Sequence, residues 1–244
     1  MFRPEMKMSP AKIAVSAKTI VTACVAAISC MAGPVALAGP ASSSESALSA
    51  HWWQWALSIP AAENPILDVS GDNCMIGQRG TVWFLAGNFS GAAPVTRNCT
   101  IPSAKTLFFP IANSVNIDTP GVCGQQGHIT VSELRAASAA ALAEATALSV
   151  TVDGRPVHNW ERIQSPVFDV TLPEENVFDA PCAAAGLGNV PAGVYSPAVD
   201  DGYYLTIDRL EQGRHTLRLL VKKASGEVLQ DVTYKLKIVP VSTH

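Results

Sequence analysis

Several signatures that would assign a reaction are missing from this chain. There is no Gly-x-Ser-x-Gly elbow and no glycine-rich nucleotide loop, which removes the usual evidence for serine hydrolases and nucleotide enzymes. The histidines at positions 51, 128, 158, 215 and 244 never recur at His-x-x-x-His spacing, and no Cys-x-x-Cys occurs. Zinc knuckles and thioredoxin-type redox sites therefore lose their sequence support, and no metal or cofactor is expected. Charge is also scarce, at 15% of residues, and only Lys222-Lys223 approaches a basic cluster. Nucleic acid and anionic membrane surfaces both require clustered Lys and Arg, so neither is an expected partner.

What is present begins with a leader. Arg3, Lys7, Lys12 and Lys18 precede an almost uncharged run from Thr19 to Ala38, which closes on Ala36-Leu37-Ala38. That order is the pattern of a secretory signal peptide over residues 1–38. Gly33 and Pro34 interrupt the run and a serine-rich stretch follows it, which argues against a membrane anchor. Cleavage removes four of the 17 basic and one of the 20 acidic residues, leaving 13 against 19 and a net charge of −6. The 206 residues from 39 to 244 suffice for a single exported domain with a substantial core, secreted or periplasmic.

After cleavage four cysteines remain, Cys74, Cys99, Cys123 and Cys182. An even number in an exported chain predicts two disulfides, and three connectivities are open. Sequential pairing is expected, because Cys74 and Cys123 each sit in a Gly-rich turn that needs tethering.

The spacing of apolar residues predicts a mainly β protein with two helices. Ser42-x-x-Glu45 reads as a capping box for a helix ending before Pro60. Three of the five tryptophans, Trp52, Trp53 and Trp55, lie on that helix, while His51, Gln54 and Ser58 form one narrow polar stripe. Rings at three adjacent helical positions point in different directions, so core packing is expected over a flat stacking platform. Thr130-x-x-Glu133 opens a second, alanine-rich helix able to lie close to a sheet. Alternating runs at 81–86, 107–111, 150–157, 167–172, 203–208, 215–221 and 232–239 read as strands, with Asp153-Gly154 as a hairpin turn. Strands at this spacing suggest an antiparallel β-sandwich, immunoglobulin-like or jelly-roll-like.

The segments WWQWALSIP, GDNC, TVWFLAG, IPSAKTLFFPIAN, SPVFDVTLPEENVF and YSPAVDDGYYLTIDRLEQGRHTLRL together resemble a group of exported bacterial proteins with signal peptides. The resemblance spans nearly the whole mature chain. It implies a bacterial envelope setting and transfers no catalytic residue.

Candidate ligand-binding residues are His51, Gln54, Gln78, Arg79, Asn113, Asn116, Asp201 and Tyr203. Asp200 and Asp201 are adjacent, and neighbours on a strand face opposite ways, so they are not expected to serve one bond together. Asp68-Val-Ser-Gly-Asp-Asn73 alternates oxygen ligands, but Asn73 and Arg79 stand where a calcium loop needs Gly and Glu, which favours an Asx turn. The expected function is binding of an extracellular ligand, a glycan among the candidates, or a scaffold role. The alternative is a hydrolase or lyase acting on an envelope or environmental polymer through a His and carboxylate site. The exported form should begin at or near Gly39; mass spectrometry that found the leader intact would refute cleavage.

Overall fold

The computed structural model describes residues 43–89 and 93–241. The predicted signal peptide, Ser42 of the predicted capping box and His244 lie outside them. Helix α1 (Ser43–Leu57) is followed by a short 3-10 turn and strands β1 (Val82–Phe84), β2 (Val95–Pro102) and β3 (Thr106–Ile117). Helix α2 (Val131–Leu142) leads to β4 (Ala147–Val152), β5 (Arg155–Val157), β6 (Glu161–Gln164) and β7 (Phe168–Leu172). A short helix, α3 (Asp179–Ala184), precedes the long strands β8 (Gly193–Ile207), β9 (Gly213–Lys222) and β10 (Val228–Val239).

Two five-stranded sheets pack as a sandwich. The first has the order β1-β3-β8-β6, with β7 also on β8; the second runs β2-β10-β9-β4-β5. Most pairings are antiparallel, as expected, but β1 lies parallel to β3 and β2 parallel to β10. The departure follows from β1, β2 and β3 alternating between sheets. A chain that visits the opposite sheet before returning has the long connection that parallel neighbours require.

Residue alternation divides the interior into two cores. Leu107, Phe109, Ile111 and Leu205 point from the first sheet to Leu217, Leu219, Val232 and Leu236 of the second. Phe108, Ala198 and Tyr204 point the other way, toward α1 with Trp52, Trp53 and Leu57. All three helix tryptophans are buried, so the core expectation is met. Trp52 meets Trp53 and Trp55 edge-to-face at centroid distances of 4.9 and 5.9 Å, the arrangement that aromatic quadrupoles favour.

Helix α2 starts on a complete capping box between Thr130 and Glu133. It lies over the β3 and β8 surface that the second sheet leaves uncovered, with Leu134, Ser138 and Leu142 buried. The Asp153-Gly154 turn has positive φ at both residues, as a tight hairpin requires. Both disulfides are sequential: Cys74 to Cys99 ties the 68–74 loop to β2, and Cys123 to Cys182 ties the loop after β3 to α3.

Because the three rings are core, Trp52→Ala, Trp53→Ala and Trp55→Ala should each lower stability by about 3–5 kcal/mol. Replacing exposed His51 by Ala should change it little. Chemical denaturation decides this, and unchanged midpoints for two of the Trp variants would show that the rings do not hold the fold.

Candidate functional site

An apolar groove arises where the chain parts from a strand it has just joined. Strand β1 pairs with β3 over Thr106 to Phe108, and Leu85 N still donates to Phe108 O at 3.2 Å. After that the 85–89 segment leaves β3, and side chains occupy its backbone groups. Trp52 Nε1 donates to Leu85 O at 2.9 Å. The Tyr234 hydroxyl donates to Ala86 O at 2.8 Å and accepts from Ala86 N at 3.0 Å. Arg97 Nη1 donates to Ala86 O and Gly87 O at 2.8 and 3.0 Å, and its Nε donates to Asp68 O at 2.7 Å.

Gln230 is the wedge. Its Oε1 accepts from Asn88 N at 3.0 Å, and its Nε2 donates to Ile111 O at 2.8 Å. It thus bridges the departing segment and β3 at the point where they separate. A Cβ on Gly87 would lie 2.4 Å from Gln230 Oε1, so glycine is required there for the wedge to seat.

Beyond Gln230 a groove of about 350 Å³ follows β3 from Ile111 to Val115. One wall is Trp52, Trp53, Phe89 and Phe178; the other is α2 with Leu229. Phe89, 47% exposed, stands at the rim. A second hollow of about 170 Å³ extends the path past Val115 and Phe178 to Ile117, beside the Cys123–Cys182 disulfide. No charged side chain lines either part.

Behind the tryptophan wall lies a buried acid. Asp200 is 1% exposed and accepts from Trp53 Nε1 at 2.7 Å and from the Tyr204 hydroxyl at 2.9 Å. Tyr204 in turn accepts from Asn113 Nδ2 at 3.0 Å, so a hydrogen-bonded path runs from the groove to the carboxyl. Burial pushes the Asp200 pKa up to about 7, against the opposing hydrogen bonds from Trp53, Tyr204 and Ser49 and with a smaller upward contribution from Asp201.

Asp201 faces the other side of β8. Arg162 grips it with Nε and Nη2 at 2.9 and 2.8 Å, and Gln164 donates at 3.0 Å. Its burial opposes these contacts, but Arg162 and Gln164 prevail and hold its pKa below the ordinary value. The two acids therefore have separate partners, as strand alternation requires.

Of the eight candidate ligand-binding residues, Asn113 alone lines this groove. Asn116 lines the extension and donates to Ser138 Oγ on α2 at 2.8 Å. Tyr203 packs beside the inter-sheet core. Gln78 braces β1 by accepting from Phe84 N and donating to Phe84 O at 2.9 and 2.8 Å. Gln54 donates to Asp169 O at 3.0 Å, while His51 and Arg79 are exposed. Asp68 closes its own loop as an Asx turn, with Ser70, Gly71 and Asn73 amides donating to its carboxylate at 2.8–3.0 Å. Its pKa is lowered because these bonds outweigh its partial burial. Gln230, Gly87 and Phe89 escaped the sequence reading; only the VWFLAG segment, an apolar run ending in glycine, hinted at them.

Two histidines contact carboxylates. His128 Nδ1 lies 2.7 Å from Asp118 Oδ2, and His215 Nδ1 lies 2.7 Å from Asp153 Oδ2. Asp118 also accepts from Ile129 N at 2.9 Å, which folds the loop after β3 onto its own strand end. Among the described residues no three metal-ligating side chains cluster, and no helix is long and apolar enough to cross a membrane. Comparison with known protein families, curated proteins and solved structures finds no match. The fold and the groove therefore define the protein as a disulfide-linked, two-sheet β domain with a recessed, uncharged cleft.

The raised Asp200 pKa has a stability consequence of definite sign. Between pH 3.8 and about 7 the folded chain holds a proton that the unfolded chain has released, so this contribution to stability falls as pH rises through that range. The full span is of the order of 4 kcal/mol. Asp200→Asn, which mimics the neutral acid, should flatten the decline and gain relative to the parent at pH 8. His215, raised by Asp153 and Glu211 against its burial, titrates in both proteins and cancels in the difference. Equal pH slopes in urea melts of the two proteins would show that Asp200 is ionised throughout.

Proposed function

We propose that this is an exported binding protein that takes an uncharged ligand into the β3 groove. The observation that carries the proposal is the groove itself: a recessed apolar trough without a charged lining residue, supplied with polar atoms only by amide and hydroxyl groups such as Asn113 and Ser114. That composition of apolar walls with a few orienting polar groups is typical of ligand sites. The leader pattern and the two disulfides support export, secreted or periplasmic. The resemblance to exported bacterial proteins supports an envelope setting.

A glycan draws less support than other neutral ligands. Sugar stacking needs an exposed aromatic face, and the helix tryptophans are interior, which leaves Phe89 at the rim. The enzyme alternative rests on the Asp118 and His128 pair, with the histidine side chain 82% exposed. Among the described residues no hydroxyl, thiol or second carboxylate is bonded to His128 Nε2, so the pair lacks the bonded protein nucleophile of a catalytic triad.

Titrating the oxidised protein with neutral oligosaccharides and neutral peptides, followed by tryptophan fluorescence, tests the reading because Trp52 and Trp53 line the groove. Phe89→Ala should weaken a true ligand at least fivefold with an unchanged denaturation midpoint. Turnover of any panel member that His128→Ala abolishes would replace the binding reading with the enzymatic one.

A further inference from the structure

The floor of the groove is the open edge of a sheet, and its backbone defines the ligand. Asp118 N donates to Pro197 O at 2.9 Å, so residue 118 points its peptide groups toward β8. Alternation along the strand then directs those of Ser114 and Asn116 the same way, and those of Asn113, Val115 and Ile117 outward. The Ile111 carbonyl, which Gln230 occupies, points outward in the same series. Strand β1 covers the edge only as far as Phe108. Among the described residues, the outward N–H and C=O groups of Asn113, Val115 and Ile117 have no hydrogen-bond partner.

A row of unpaired donors and acceptors at strand spacing is a template for another extended backbone. The free edge from Asn113 to Ile117 is about 15 Å long, the length of about five extended residues. Building on the binding function proposed above, we infer that the groove binds an extended peptide segment, uncharged and apolar at alternate positions, which adds to β3 as a new edge strand. Side chains on one face of the added strand would enter the trough walled by Trp53, Phe89 and Phe178, and those on the other would meet Leu142 and Leu229. The absence of charge along the whole path matches an uncharged segment and disfavours acidic or basic ones.

The recess also selects against a second copy of this chain. Edge-to-edge pairing of two copies needs both edges to protrude, and here each lies between the tryptophan wall and α2. A single strand is thin enough to enter; another walled edge is not. Recognition of this kind draws affinity from main-chain hydrogen bonds and selectivity from pockets for alternate side chains.

The test uses an array of end-capped heptapeptides composed of Ala, Val, Leu, Thr, Ser and Tyr, with binding to the oxidised protein measured by fluorescence anisotropy. For the best binder, N-methylation of one set of alternate amides should weaken affinity at least tenfold, and methylation of the other set should change it less than threefold. Val115→Pro, which deletes one edge donor and suits an edge strand, should weaken the unmodified peptide by a similar factor. Equal tolerance of both methylation patterns would show that the groove holds peptides without strand addition, which overturns this inference and leaves the groove reading intact. If a neutral oligosaccharide binds and no peptide does, the same division holds. Failure of every neutral ligand would overturn both readings. A concentration-dependent dimer abolished by Val115→Pro would assign the edge to a second copy and also overturn the inference.

Discussion

The arrangement depends on a buried cation with no buried anion beside it. Arg97 projects from β2 into the interior, 1% exposed, and is held by the backbone carbonyls of Asp68, Ala86 and Gly87 and by the Tyr234 hydroxyl. A charge in that position is tolerated only if polar atoms replace the water it has lost. Those carbonyls can face Arg97 only because the 85–88 backbone has turned away from β3. The guanidinium and the groove are thus linked: the Ala86 and Gly87 carbonyls that receive Arg97 Nη1 lie on the segment that has left the β3 edge, while Arg97 Nη2 stays buried without a partner among the described residues. Cys99, two residues along the same face of β2, carries the disulfide to the 68–74 loop, so the segment that supplies Asp68 O is covalently fixed to the strand that bears Arg97.

The acid behind the groove follows a similar logic with the opposite sign. Asp200 sits in a hydrogen-bonding cage of tryptophan and tyrosine donors without a cation, and desolvation outweighs those donors. Neutral Asp200 can itself donate to the Tyr204 oxygen; ionised Asp200 needs Tyr204 to donate to it. Asn113 Nδ2 donates to the same Tyr204 oxygen and so ties the groove to this cage. Gly202 makes this contact possible, since a Cβ there would lie 2.6 Å from the Asn113 Cβ and 2.7 Å from the Tyr204 ring.

The architecture was more legible in the sequence than the site was. Periodicity located α2 and most strands, and the mix of ring directions on α1 correctly placed the tryptophans in the core. Strand β2 was overlooked because Arg97 occupies the second inward position of an otherwise regular Val95, Cys99, Ile101 alternation. A charged residue on the inner face breaks the pattern that strand recognition relies on. The parallel pairings were hidden for a different reason, since strand direction is decided by which sheet each strand joins and not by its own residues. Asn113 was legible as an amide in a polar patch beside an apolar run. Gln230 and Gly87 were not, because a wedge and the glycine that admits it are meaningful only once two distant segments meet.

The place where they meet is marked by two irregularities that face one another. Strand β3 shifts register between Pro110 and Ala112, and β10 between Val228 and Gln230. The extra residues are Ile111 and Leu229, and both line the groove. A bulge adds one residue to a strand and re-aims the side chains that follow it. Here Gln230, which stays paired with Val221 just past the β10 bulge, sends its side chain to Ile111 O, and Ile111 is the extra residue of the β3 bulge. Either bulge alone would leave an unpaired polar group at the seam between the sheets, at a cost of about 1–3 kcal/mol. Together they produce a satisfied bridge at one end and an uncovered edge immediately beyond it. The opening of the groove is therefore set by the same backbone insertions that complete the sandwich, which is why an unpaired edge can persist inside a tightly packed domain.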